Sequence, residues 1–130
     1  MDTYEIPRSV RRYVIERIDS VPELEVIMLL HDNPDRAWKV AEVAERVYVS
    51  PAMATALLAR MVEDGVCAPI GEGDEPASAY QYRPTAERAP IIDGLAEAYR
   101  RALISLTKMI HSKPNASLRE FADAFRIGKG

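Results

Sequence analysis

The sequence predicts a mainly α-helical chain carrying one small β-hairpin, and three observations predict it. Apolar residues recur at three- and four-residue spacing through most of the 130 residues, the pattern of helices that bury one face. Between two such stretches, Tyr48-Val49-Ser50 leaves room only for a tight turn. After Gly65, two short strand-like runs, Val66 to Ile70 and Ala79 to Arg83, enclose a loop of Gly, Asp and Glu, which is hairpin chemistry.

The elements follow in order. Pro7 to Ile18 sets Val10, Tyr13, Val14 and Ile18 on one face and Arg8, Arg11, Arg12 and Glu16 off it, an amphipathic helix opened by proline. Ser20-Val21-Pro22-Glu23 has capping-box spacing and starts a second helix through Leu24, Ile27, Met28 and Leu30 to His31. Asp32-Asn33-Pro34-Asp35 ends it with turn residues. Trp38 to Val47 reads as a short third helix, and Pro51 to Asp64 as a fourth. In the fourth, Ala54, Leu57, Leu58, Met61 and Val62 face the core, leaving Ala52, Met53, Thr55, Ala56, Ala59, Arg60 and Glu63 outward.

Gly65 supplies the helix stop, and Pro69 restricts the first hairpin strand to a sheet edge. Gly71-Glu72-Gly73-Asp74-Glu75-Pro76 forms the tip. Beyond Pro84 a long helix is clearest from Ile91 to His111, roughly 30 Å at the α-helical rise. Its stripe of Ile92, Leu95, Tyr99, Ala102, Leu106 and Met109, widened by Leu103 and Ile110, suits a seam with a second subunit or with the first helix. Ser117-Leu118-Arg119-Glu120 opens a short terminal helix with Leu118, Phe121, Ala122 and Phe125 on one face. The expected organisation is one domain: an N-terminal helix (1–19), a winged helix-turn-helix core (20–84), and a C-terminal dimerisation region (85–130).

Composition excludes several classes. With 48% hydrophobic and 28% charged residues the chain suits a soluble globular domain. Val26-Ile27-Met28-Leu29-Leu30 falls far short of the roughly 20 apolar residues of a membrane span. No secretory signal is seen and Cys67 is a lone cysteine, so a cytoplasmic protein is expected. The net charge of −3 is unevenly spread, acidic over 71–98 and basic from residue 99 onward.

Catalytic chemistry finds no foothold. His31 and His111 stand apart in sequence, and one cysteine makes no metal-ligand cluster, so neither metal nor cofactor is expected. Cys67 suits burial as a small apolar residue, and Trp38 suits a lid on the core. Glu42 with Glu45, and Glu63 with Asp64, lie on helix surfaces without a convergent pocket. No glycine-rich phosphate loop or nucleophile motif occurs. The expectation is a non-enzyme.

Val40, Val43 and Ala44, then Ser50, then Leu58, Met61, Gly65 and Val66 match the pattern of a winged-helix core. In these residues Trp38 to Ile70 resembles bacterial transcription regulators in the broad sense that includes the MarR type. The resemblance implies a regulator, usually dimeric, whose second core helix reads a palindromic DNA site. On that reading Ser50, Thr55 and Arg60 face the groove, with Arg36, Lys39 and Arg83 on phosphates. The homodimer would close through Ile92, Leu95, Tyr99, Ala102, Leu106 and Met109.

The surface departs from that pattern. Base edges are read by hydrogen bonds, yet most of the presented helix face is Ala and Met. The wing tip carries Glu72, Asp74 and Glu75, which phosphate repels. The alternative reading is a protein-interaction module that docks through Ala52, Met53 and Ala56 and the acidic tip.

Overall fold

Residues 3–71 and 79–112 are described by a computed structural model. The order is α1 (Arg8–Arg17), α2 (Val21–His31), β1 (Trp38–Lys39), α3 (Val40–Val47), α4 (Pro51–Glu63), β2 (Cys67–Ile70), β3 (Ala79–Tyr82), α5 (Arg88–Arg101) and α6 (Leu103–Ser112). The acidic tip and the helix expected after Ser117 lie outside the described residues. Among the described residues no helix is long and apolar enough to cross a membrane.

Caps explain where the helices begin. Ser20 Oγ accepts from the Glu23 amide at 3.3 Å, while Glu23 Oε1 accepts from the Asp19 amide at 2.9 Å, so the expected reciprocal cap forms one residue early. Ser50 Oγ accepts from the Met53 amide at 3.1 Å, with Pro51 opening α4. Past α4, Gly65 takes φ +75°, which lets the Val66 amide close on the Met61 carbonyl. α5 begins three residues before the clear apolar pattern because Thr85 Oγ1 accepts from the Arg88 amide.

The sheet corrects one boundary. Trp38 and Lys39, read above as helix, are extended and pair with Tyr80 and Ala79 of β3. β2 pairs with the other edge of β3, Cys67 opposite Tyr82 and Ile70 opposite Ala79, giving an antiparallel sheet of order β1-β3-β2. Helix α3 starts only at Val40 because the Glu42 carboxylate accepts from the Lys39 amide at 2.9 Å. Pro69 sits on the edge strand, as expected.

The second correction lies in the long C-terminal helix. It breaks at Ala102, whose φ of −147° and ψ of 44° are not helical. No proline or glycine marks the break; its effect is to let α5 and α6 both pack on α1. The apolar stripe is accordingly used inside the chain. Ile92, Leu95 and Leu106 are wholly buried in one core with Val10, Val14, Ile18, Leu24, Leu30, Trp38 and Leu58, while Tyr99, Ala102 and Met109 pack at its margin. These first three residues therefore do not face a second subunit.

Candidate nucleic-acid interface

Helices α3 and α4 are joined by a turn that places Tyr48 in the left-handed region, at φ 61° and ψ 47°. For a residue with a Cβ this conformation costs about 1–2 kcal/mol. The turn is held by the Val49 amide donating to the Ala44 carbonyl. Tyr48 itself is 94% exposed. Behind the turn, Ala54, Leu57, Leu58 and Met61 anchor α4 in the core, so its opposite face is presented rigidly.

That face carries Ala52, Met53, Thr55, Ala56 and Ala59, all exposed, as the spacing predicted. Its hydrogen-bonding groups are largely committed within the chain. Thr55 Oγ1 donates to the Pro51 carbonyl at 2.9 Å, and Ser50 is occupied as the cap. Arg60, 44% exposed, leans toward the α1–α2 turn. Its Nη2 donates to the Arg17 carbonyl at 3.1 Å and lies 3.2 Å from Asp19 and 3.6 Å from Glu23. In the chain alone Arg60 ties α4 to the α1–α2 turn, contacts that compete with the groove-reading role expected of it.

The expected phosphate contacts divide similarly. Arg36 is paired with Glu42 at 2.8 Å and lies 3.7 Å over the Trp38 ring. The amide of Lys39 and the Arg36 guanidinium together hold the Glu42 carboxyl below the usual range. Lys39 and Arg83 have exposed side chains. Arg46, which sequence reasoning passed over, is exposed and lies 5.4 Å from the Trp38 ring on the side chain that lids the core. Trp38 is buried, as expected.

Sequence reasoning also missed the polar network beneath α4. Glu23 is a buried carboxyl whose pKa burial raises, against the lowering effects of the Asp19 amide and Arg60. Arg17 lies 3.4 Å from Asp64, Tyr13 donates to the same carboxylate at 3.3 Å, and Arg88 Nε donates to the Asp64 carbonyl at 2.9 Å. Burial first, and Asp64 second, raise the Tyr13 phenol. Three sequence-distant segments, 13–23, 60–64 and Arg88, meet here, so no local motif announces them.

His31 is less isolated than its sequence neighbours suggest. Nδ1 lies 2.9 Å from Asp32 Oδ1 and Nε2 lies 3.0 Å from Asp93 Oδ1, joining α2 to α5. Its ring stacks edge-on against Tyr82 at 5.4 Å. Among the described residues no group of three or more His, Cys, Asp and Glu side chains is placed to hold a metal. Cys67 is buried with its thiol pushed up to about 12 by desolvation, which suits a packing residue and not a nucleophile.

Helix, tight turn, helix and an antiparallel hairpin extended by β1 define a winged helix-turn-helix fold. Solved structures with the same fold include the heme sensor protein PefR from Streptococcus agalactiae in complex with heme, 20% identical over 92% of this chain and 78% of that one, TM-score 0.52. The adhesin competence repressor AdcR from Streptococcus pyogenes is 15% identical over 92% of this chain and 85% of its own, TM-score 0.51. RV1404 from Mycobacterium tuberculosis is 13% identical over 94% and 83% respectively, TM-score 0.52. No protein-family model and no curated protein matches the sequence.

Proposed function

We propose that this chain is a non-catalytic, cytoplasmic transcription regulator of the MarR type that binds DNA as a homodimer, with α4 in the major groove. The observation that carries this reading is the rigid presentation of α4 by the α3 turn, with the β2–β3 hairpin beside it. The structural likeness to a protein described as a repressor supports it. The exposed cations Lys39, Arg46 and Arg83 are the proposed phosphate contacts, and Ser50, the N-cap of α4, is at the end proposed to enter the groove. Leu103 and Ile104 of α6 are exposed, and a second copy is the proposed cover.

The test is fluorescence anisotropy with genomic duplex fragments across a salt series. Each phosphate neutralised contributes a slope of about −0.9 in log K against log salt, so three cations predict a shallow slope of about −3 per subunit. Absence of binding at low salt would remove the DNA reading.

A second reading, docking on a protein, is favoured by the exposed Tyr48 and by Met53, 49% exposed on α4. The proposed surface adds Ala52, Ala56 and the acidic residues Glu72, Asp74 and Glu75. Replacing those three carboxylates by glutamine strengthens DNA binding at low salt on the first reading, since they oppose phosphate. On the second reading the same triple variant weakens capture of a basic protein partner and leaves DNA binding negligible.

A further inference from the structure

We infer, on the reading that α4 enters the major groove, that this helix selects thymine by packing against its 5-methyl group instead of by hydrogen bonds to base edges. Three observations point there. Arg60, the long donor on α4, is held by the Arg17 carbonyl, Asp19 and Glu23. The Thr55 hydroxyl gives its one proton to the Pro51 carbonyl and the Ser50 oxygen accepts from the Met53 amide, so each keeps only part of its hydrogen-bonding capacity for a base edge. What α4 offers outward is mostly apolar, Ala52, Met53, Ala56 and Ala59 beside Thr55, with Glu63 at its far end.

Charge placement fits a duplex as the occupant. Lys39 and Arg46 on the adjoining elements are exposed and make no ion pair among the described residues. Both lie on the β1–α3 segment that precedes α4, where they are a source of positive charge for phosphates. In that groove thymine alone of the four bases shows a methyl group, whereas guanine shows the O6 and N7 acceptors and cytosine the N4 donor. An alanine and methionine surface buries the methyl at a gain but strips water from guanine O6 or cytosine N4 without replacing its hydrogen bonds. Discrimination therefore runs toward A·T pairs with the thymine methyl under α4.

The experiment is selection from a random duplex library, followed by titration of the recovered sequence with deoxyuridine in place of thymidine at single positions. Loss of one contacted methyl is expected to weaken binding about fourfold, the equivalent of one buried methylene. Met53→Ala should erase the thymidine–deoxyuridine difference at one position and keep it at others. Ala56→Gln should shift the neighbouring preference toward adenine, which glutamine reads bidentately. Circular dichroism on both variants checks that α4 is intact. Equal affinity for every deoxyuridine duplex, or recovery of G·C-rich or unselected sequences, overturns methyl readout while DNA binding stands. Recovery of no DNA at all overturns both and leaves the α4 face to a protein partner.

Discussion

Arg60 shows how a side chain changes role between a helical wheel and a folded chain. On α4 alone it belongs to the outward face; in the structure it reaches residues about forty positions earlier in the chain, beyond any local pattern. Arg60→Ala is expected to lower unfolding stability by about 1–2 kcal/mol, a charge-assisted interaction discounted because the side chain is 44% exposed. It should leave DNA sequence preference unchanged. Urea denaturation and the library selection read the two effects separately, and an altered preference with unaltered stability would return Arg60 to the groove.

Glu23 beneath it carries a pH prediction whose sign follows from burial. Its folded pKa is raised above the ordinary 4.5, so between those two values the native state binds more protons than the unfolded chain. The stability contributed by the protonated carboxyl is complete below about 4.5 and is lost as pH rises through the folded value. Glu23→Gln keeps an acceptor for the Asp19 amide and removes the charge. The melting temperature of the variant should gain on wild type as pH climbs from 4 toward 7, and a constant difference across that range would contradict the assignment. Cys67 was legible as a packing residue from its place after α4, whereas Glu23 was legible only as a capping residue, because its burial depends on α1 and α4 closing over it.

At the scale of elements, periodicity revealed faces better than boundaries. The inward and outward faces of α4 follow from spacing alone because thirteen residues sample several helical turns. Trp38 and Lys39 are only two residues, too few for a period-2 strand signal to compete with the helical pattern downstream. The break at Ala102 had no turn residue to mark it; packing of α6 on α1 decides it.

The contact between α1 and α5 is close enough to test. A Cβ placed on Gly94 would stand 2.8 Å from Val10 Cγ2. Gly to Ala in a helix ordinarily gains up to about 1 kcal/mol. Here the β-branched Val10 is stiff and buried, so Gly94→Ala is expected to destabilise by about 1 kcal/mol or more. Val10→Ala vacates the space, and the double variant should be more stable than the sum of the two single losses allows. Strict additivity in thermal denaturation would show that the helices yield without cost.

At the scale of the whole molecule, the apolar stripe of the C-terminal helices was visible in the sequence but its partner was not, because α1 and a second copy satisfy the same spacing. Burial now separates the expected stripe, used inside the chain, from an exposed apolar face of α6 at Ile104, which the stripe did not include. Leu95 and Leu106 are fully enclosed within one chain, so a glutamate at either position places a charge in the core. Leu95→Glu with Leu106→Glu is expected to unfold the protein, with loss of the helical circular dichroism signal, and not to release folded subunits. Ile104, 72% exposed on α6, is the contrasting case. Ile104→Glu adds a charge to solvent in an isolated subunit, which costs stability little, but to the centre of an apolar contact if two copies meet there. Multi-angle light scattering at micromolar concentration should give a dimer for wild type and a folded monomer for Ile104→Glu. A dimer that survives this substitution would place the subunit contact elsewhere, and a wild type that is already monomeric would remove the dimer from the proposed function.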